Sequence, residues 1–213
     1  MNCHICDKLT ESFHHEKTNI TYYYCKACQY IFKSPEHHQD LSTQKERYNL
    51  HENDENDPGY QAYFQRFLDF ILPLLENKPK TALDFGCGRS SLLSSLLTKE
   101  GIACDYYDPI YHPDRLEEKK KYELIVSTEV FEHLHQPKEV FDSLLERLEE
   151  GGYLALQTQF HPNDVEAFKT WYYHQDPTHI VFFSAQTFRV LCDKYGVEFI
   201  AENEKNMVLL KKS

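Results

Sequence analysis

Apolar side chains at Tyr60, Tyr63, Phe64, Phe67, Leu68, Ile71 and Leu72 recur at spacings of three and four. That pattern predicts one buried face of a helix, which should stop near Pro73. The period then changes. Thr81–Phe85 is a short strand-like run leading into two glycines, 90–99 reads as a helix, and 102–107 as a second strand ending at Asp108-Pro109. Residues 122–127 are apolar almost throughout, as expected of a strand buried on both faces. A helix is predicted over 138–149, with Pro137 suited to its first turn and Gly151-Gly152 closing it. A strand over 153–160, a helix over Ala185–Tyr195 ending at Gly196, and strands over 197–201 and 206–210 complete the series. Strands alternating with helices predict an α/β fold whose parallel sheet is covered on both sides. The last two strands, joined by a polar turn at 203–205, should run antiparallel.

The chain before residue 60 lacks this alternation. Residues 1–35 carry four of the seven cysteines, as Cys3-x-x-Cys6 and Cys25-x-x-Cys28. Two such pairs about eighteen residues apart have the spacing of a four-thiolate zinc site. Four thiolates leave no open coordination position, so this zinc is expected to be structural and to supply folding free energy to a segment too short for its own core. His4, His14 and His15 lie nearby, but no cysteine is missing and they are read as bystanders. The aromatic stretches 22–24 and 30–32 are expected to supply the strands of a ribbon. Residues 36–59, polar and acidic and ending in HENDENDPGY, read as a linker or mobile loop. The expected organisation is therefore a zinc-ribbon-like module over 1–35, a linker over 36–59 and a larger α/β domain over 60–213.

Composition narrows the partners. A formal net charge of −11 repels phosphates and argues against a broad nucleic-acid surface. The basic runs 119–121 and 211–212 do not interleave aromatics as a strand-binding groove would. No apolar run reaches the roughly 18–20 residues that span a bilayer, and the N-terminus lacks the pattern of a signal peptide. A cytoplasmic location without membrane attachment is expected. In that compartment thiols stay reduced, so the cysteines point to metal binding or packing.

Candidate chemistry begins at Asp84-Phe85-Gly86-Cys87-Gly88, where a strand passes into a helix. Glycines there let a ligand approach the backbone N–H groups. A dinucleotide site wants a third glycine, and Ser91 stands in its place, which puts a nicotinamide-dependent oxidoreductase last. Asp84 would repel a pyrophosphate but suits a ligand carrying an ammonium and a sulfonium. Asp108, about twenty residues on at the end of the second strand, is placed to accept both ribose hydroxyls; as Asp-Pro it also fits a plain turn.

These residues resemble class I S-adenosylmethionine-dependent methyltransferases. LDFGCGRSSLL looks like their first motif, CDYYDP like their acidic second-strand motif, and YELIVSTEVFEHL like the segment around their fourth strand. EEGGYLALQT is similar to the stretch entering their fifth strand, and WYYHQDPTHIVFFSAQTFRVLCDKYGVEFI to the tail of one subfamily. The resemblance covers about residues 60–210 and implies a Rossmann-like doubly wound sheet, mostly parallel with an antiparallel C-terminal strand. It implies that Asp84, Gly86 and Gly88 form the methionine and ribose floor, that Cys87 lines it through its backbone, and that Thr128 and Glu129 border the methionine end. Glu132 reads as a charge complementing a helix N-terminus. The chain departs from the family between Asp108 and Tyr122, where only thirteen residues replace a helix, a third strand and an adenine-contacting loop. Similar N-terminal zinc modules precede some sugar and small-molecule methyltransferases.

The function so implied is methyl transfer to a small-molecule acceptor, an in-line displacement in which alignment does most of the work. Where the acceptor must lose a proton, His133, His174 and His179 are candidate bases. His179 is preferred, with His133 second, because WYYHQDPTHI follows the fifth strand, where a substrate lid would lie; Asp176 is placed to orient it. Trp171, Tyr172, His174 and Asp176 are assigned to the substrate side. The competing reading is a non-catalytic module, a zinc ribbon on a methyltransferase-like scaffold, because fold alone does not establish activity.

Overall fold

The computed structural model describes residues 1–40, Thr43, Lys45, Arg47, Asn49 and 55–213. Of the expected linker over 36–59, positions 41, 42, 44, 46, 48 and 50–54 lie outside the described residues.

A four-stranded antiparallel sheet opens the chain: β1 (Glu11–His15), β2 (Ile20–Tyr24) and β3 (Ile31–Lys33), joined by β8 (Val181–Phe182) from far downstream. The aromatic stretches do supply β2 and β3, whereas β1 and β8 carry no sequence signal. β8 is two residues long and pairs Ile31 with Phe182 and Phe32 with Val181. Lys33 extends the ladder by donating its backbone N–H to Ile180 O at 2.8 Å.

The larger sheet has six strands in the order β5-β4-β6-β7-β10-β9. These are β4 (Thr81–Phe85), β5 (Ala103–Tyr107), β6 (Tyr122–Thr128), β7 (Leu148–Gln157), β9 (Val197–Glu202) and β10 (Met207–Lys212). β4, β5, β6 and β7 are parallel, and β10 runs antiparallel to both β7 and β9. This is the mostly parallel Rossmann-like sheet that the sequence implies, and β5 forms its edge. The thirteen residues after Asp108 contain a 3-10 turn, Pro113–Arg115, and among the described residues no strand lies outside β5.

Alternate residues of the sheet face two cores, as the period of two requires. Leu124, Val126, Met207 and Leu209 pack with helices α1 (Pro58–Ile71) and α2 (Leu92–Lys99). Ile125, Leu154, Val208 and Leu210 pack with α3 (Pro137–Glu146) and α5 (Ala185–Tyr195), and the same core takes in Cys3, Ile5, Cys25, Cys28, Tyr30 and Phe32. The short α4 (Val165–Thr170) packs Phe168 against Tyr22, Ile31 and Phe182. The ribbon and the sheet thus share one apolar interior. Among the described residues no helix is long and apolar enough to cross a membrane.

Local signals set the helix ends. Asp57 accepts N–H bonds from Gly59 and Tyr60 ahead of Pro58, Ser184 and Thr187 close a reciprocal cap on α5, and Gly196 ends that helix at φ 66°. One expectation fails. Gly151-Gly152 does not close α3 but lies inside β7, where the register against β6 shifts. A Cβ on Gly152 would meet Glu149 O at 2.9 Å and Tyr122 O at 3.2 Å, so these glycines serve a bulge.

Candidate active site and thiolate cluster

β4 delivers the glycine loop at its C-terminal end. Gly86 and Gly88 take φ of 82° and 65°, the left-handed region where a side chain is strained. The turn is pinned by N–H bonds from Gly86 (2.8 Å) and Cys87 (3.1 Å) to Tyr107 O at the end of β5. Val130 fills the space over Gly86, its Cγ2 lying 2.3 Å from where a Cβ would stand. The loop and the chain leaving β6 are therefore in contact.

Asp108 is nearly buried beside this loop. Its Oδ2 accepts the N–H of Gly88 at 3.0 Å, and its Oδ1 accepts those of Ile110 and Tyr111 at 2.8 and 2.9 Å. The turn role and proximity to the glycine loop hold together at this residue. Asp84 is only 2% exposed. Burial first, and then the negative charge of Asp108, pushes its carboxyl up to about 8. Around the helix that follows, Ser90 Oγ and the Ser91 N–H both donate to Glu55 Oε1 (3.0 and 3.1 Å), and Arg89 and Tyr111 both donate to Asn49 Oδ1. Residues from the expected linker thus brace the loop.

Thr128 ends β6, and Glu129 follows with φ 53°, an unusual conformation for a side-chain-bearing residue and the kind of strain found at functional positions. Glu129 Oε1 accepts from Tyr63 Oη at 2.7 Å. Tyr173 Oη lies 2.8 Å from Glu129 Oε2 and 2.5 Å from Glu132 Oε1. One phenol has one proton and cannot donate to both carboxylates. Burial first, then the charge of Glu132, pushes Glu129 up to about 8, and burial likewise raises Glu132. The two acids and Tyr173 accordingly hold an additional proton between them near neutrality.

Glu132 corrects an expectation: it is fully buried within the 3-10 turn Phe131–His133 and does not sit at the start of α3. Behind it stand two imidazoles, His133 and His179, with ring centroids 4.8 Å apart. His133 Nδ1 donates to Thr178 O at 3.0 Å, and His179 Nδ1 to Tyr173 O at 2.7 Å. Burial lowers both, His179 to about 3, so both rings are neutral at pH 7. Asp176 does not orient His179 through a side-chain bond. Its Oδ1 accepts from the Thr178 N–H and hydroxyl and its Oδ2 from Arg47, which makes it a turn residue.

The remaining substrate-side candidates are dispersed. Trp171 packs on Tyr173 with ring centroids 5.1 Å apart, while Tyr172 is exposed. His174 turns away, stacking on Phe168 at 5.1 Å and meeting His15 at 4.7 Å. Tyr63 and Tyr173, which reach the carboxylates, carried no signal beyond helical spacing and a tyrosine run.

The four thiols of Cys3, Cys6, Cys25 and Cys28 converge, every Sγ within 4.8 Å of the others and the measured edges 3.4–3.6 Å. A tetrahedron with Zn–S bonds of about 2.3 Å has edges of about 3.8 Å, so the donor set fits. The two pairs are built alike. Asp7 and Gln29, each just after the second cysteine, have φ of 62° and 60° and donate N–H to Cys3 O and Cys25 O. Burial pushes Cys25 up to about 11, and the Cys3 thiol together with burial raises Cys28. The same contact with Cys28 lowers Cys3 to about 5, so one of the four already favours the thiolate form that a dication would bind. Cys87, Cys104 and Cys192 remain unpaired.

The glycine loop, Asp108, and the pair Thr128 and Glu129 all lie at the C-terminal ends of the adjacent parallel strands β4, β5 and β6. Because the chain passes from β4 to β5 on one side and then to β6 on the other, this is the point where an α/β sheet opens a ligand crevice. The family model for methyltransferase domains matches residues 59–202. No curated protein matches the chain. Solved structures of similar fold include the PH0226 protein of Pyrococcus horikoshii OT3, at 12% identity and TM-score 0.56, over 79% of this chain and 99% of that one. Magnesium protoporphyrin IX methyltransferase of Synechocystis PCC 6803, solved with SAH bound, aligns at 13% identity and TM-score 0.53 over 81% and 94%. An O-methyltransferase family protein of Burkholderia thailandensis aligns at 13% and 0.53 over 80% of this chain, which spans 63% of that protein's length.

Proposed function

Because this chain belongs to the methyltransferase-domain family, we propose that it transfers a methyl group from S-adenosylmethionine to a small-molecule acceptor. The observation that carries the reading is the meeting of Gly86, Gly88, Asp84, Asp108 and Glu129 at the opening of the sheet. S-adenosylmethionine supplies a methyl carbon already activated by its sulfonium. The chain's part is to hold and align. Gly86, Cys87 and Gly88 offer a backbone floor without side-chain obstruction, and Asp108 is the ribose acceptor. Asp84, buried beside a second carboxylate, gains most from a cationic ligand, since a nearby positive charge offsets the burial that now keeps it protonated. Thr128 and Glu129 border the methionine end.

On the acceptor side we place Glu129, Tyr173, His133 and His179, with Trp171, Tyr172, His174 and Asp176 in the segment that covers them. As neutral imidazoles, His179 and His133 serve an acceptor hydroxyl as lone-pair partners more readily than as strong bases. An acceptor of small size fits a network in which Glu132, Tyr173 and His179 are buried and only Glu129 and His133 stay partly exposed. A structural Zn2+ on Cys3, Cys6, Cys25 and Cys28 fixes the ribbon of residues 1–35 against the α/β domain. Seven unpaired cysteines suit the reducing cytoplasm.

Calorimetry with S-adenosylmethionine tests the reading. Wild type should bind it, and Asp108→Ala should weaken binding at least about tenfold, or about 1.4 kcal/mol. Failure of wild type to bind at millimolar concentration would overturn the proposal.

A further inference from the structure

Glu132, His133 and His179, on the acceptor side of the proposed site, form a group that neither the methyl donor nor the ribbon uses, and the proposal deepens that reading. One donor atom from each lies within 4.8 Å of the other two, and His133 Nε2 is 3.9 Å from Glu132 Oε1. The structure assigns to this trio a second metal site, for a divalent transition-metal ion such as Zn2+, Co2+ or Fe2+.

The tautomers support it. A backbone carbonyl can only accept, so the bonds to Thr178 O and Tyr173 O place the ring proton of each histidine on Nδ1. On each neutral ring Nε2 then carries the lone pair, and that of His133 lies 3.9 Å from Glu132 Oε1. Donation of the other ring N–H to a carbonyl is the arrangement that orients metal-binding histidines. Glu132 adds the charge once a bound cation displaces the proton it shares with Glu129 and Tyr173. It is 0% exposed, and its Oε2 makes no well-formed hydrogen bond among the described residues, although the Thr158 hydroxyl is near enough to lower the carboxyl. A cation beside that oxygen would satisfy it. Two imidazoles and one carboxylate favour transition metals over Mg2+ or Ca2+, which prefer all-oxygen sets. Three protein ligands also leave positions open for water or an anionic oxygen. His133 is partly exposed, so an ion can enter from its side.

The assignment stands whether or not S-adenosylmethionine binds, and its test uses no methyl donor. The full-length protein, with zinc retained on its four cysteines, is titrated with Co2+. Visible ligand-field bands are expected, saturating at one equivalent, without the near-ultraviolet thiolate-to-cobalt absorption that marks exchange into the cysteine cluster. Proton NMR of the wild-type cobalt complex should show two exchangeable imidazole N–H resonances with large paramagnetic shifts, one from each Nδ1–H. His179→Gln and His133→Gln should each lose the equivalent, whereas His14→Ala on the exposed ribbon surface should keep it. The proposal is overturned if wild type takes up no cobalt outside the cysteines, if fewer than two shifted N–H signals appear, or if a glutamine variant binds as wild type does. Because the NMR readout needs only wild type, a variant that fails to fold does not rescue or sink the idea.

Discussion

Replacing Gly86 by alanine perturbs the glycine loop in two separable ways. The backbone sits at φ 82°, where a Cβ costs about 1–2 kcal/mol. The new methyl would also stand 2.3 Å from Val130 Cγ2 and 3.1 Å from Cγ1, an overlap that forces Val130 or the loop to move. Overpacking of this kind costs about 1–3 kcal/mol, so Gly86→Ala should lose about 2–5 kcal/mol in all. Val130→Ala removes both Cγ atoms and leaves Val130 Cβ as the nearest neighbour at 3.3 Å, a separation that small shifts accommodate. The double variant should therefore recover the overlap part and keep the backbone part. Urea unfolding of wild type, both single variants and the double variant gives the coupling directly, with about 1–3 kcal/mol expected. Calorimetry on the same four proteins should show weaker S-adenosylmethionine binding in Gly86→Ala, because the Gly86 and Cys87 N–H bonds to Tyr107 O are pulled out of place. Strict additivity would refute the contact between Gly86 and Val130. A Gly86→Ala variant as stable as wild type would refute the conformation of the loop itself.

Two further outcomes follow from the same geometry. Asp84 has a folded-state value raised to about 8 from an ordinary 3.8, so the native state binds more protons than the unfolded chain between about pH 4 and 8, and stability contributed by this residue falls as pH rises through that window. Each pH unit costs at most about 1.4 kcal/mol. Asp84→Asn should then gain stability over wild type progressively from pH 5 to pH 8 in urea titrations while losing cofactor binding; a gap that does not widen with pH would contradict the burial argument. Stripping the proposed zinc with a strong chelator should lower Tm by more than about 5 °C, and hydrogen exchange should rise at Phe182 as well as in β2 and β3, because β8 completes the ribbon sheet. Loss of protection confined to residues 1–35 would show instead that the ribbon is held independently of the α/β domain.

The sequence was most readable where local patterning and tertiary structure agree. Thr81–Phe85 and Ala185–Tyr195 sit where their apolar spacing and end signals put them, and Gly196 caps its helix as expected. Gly151-Gly152 misled because glycine marks both a helix end and a bulge, and only the partner strand decides between them. β8 was invisible because two residues have no period, and its partner lies far back in the chain. At the site, Asp84, the glycines and Asp108 are near one another in the sequence and were legible as a set. The bonds that join Tyr63, Glu129 and Tyr173 span 66 and 44 positions, and no spacing rule reaches that far. Glu132 reads as a charge at a helix N-terminus for the same reason, since its burial depends on Tyr173 and on the chain around Ile180.

The pairing of β3 with β8 also sets a schedule for synthesis. The four clustered cysteines and the first three strands are made before the strand that closes their sheet, which follows about 150 residues later. At about 5–20 residues per second that is a delay of roughly 8–30 s. Through that interval β3 presents an open edge, and Ile31 and Phe32 wait without the neighbours that bury them. Early capture of the proposed zinc would keep this edge in a fixed shape until β8 arrives, and metal supply would then be a matter of timing for the nascent chain as well as of final stability.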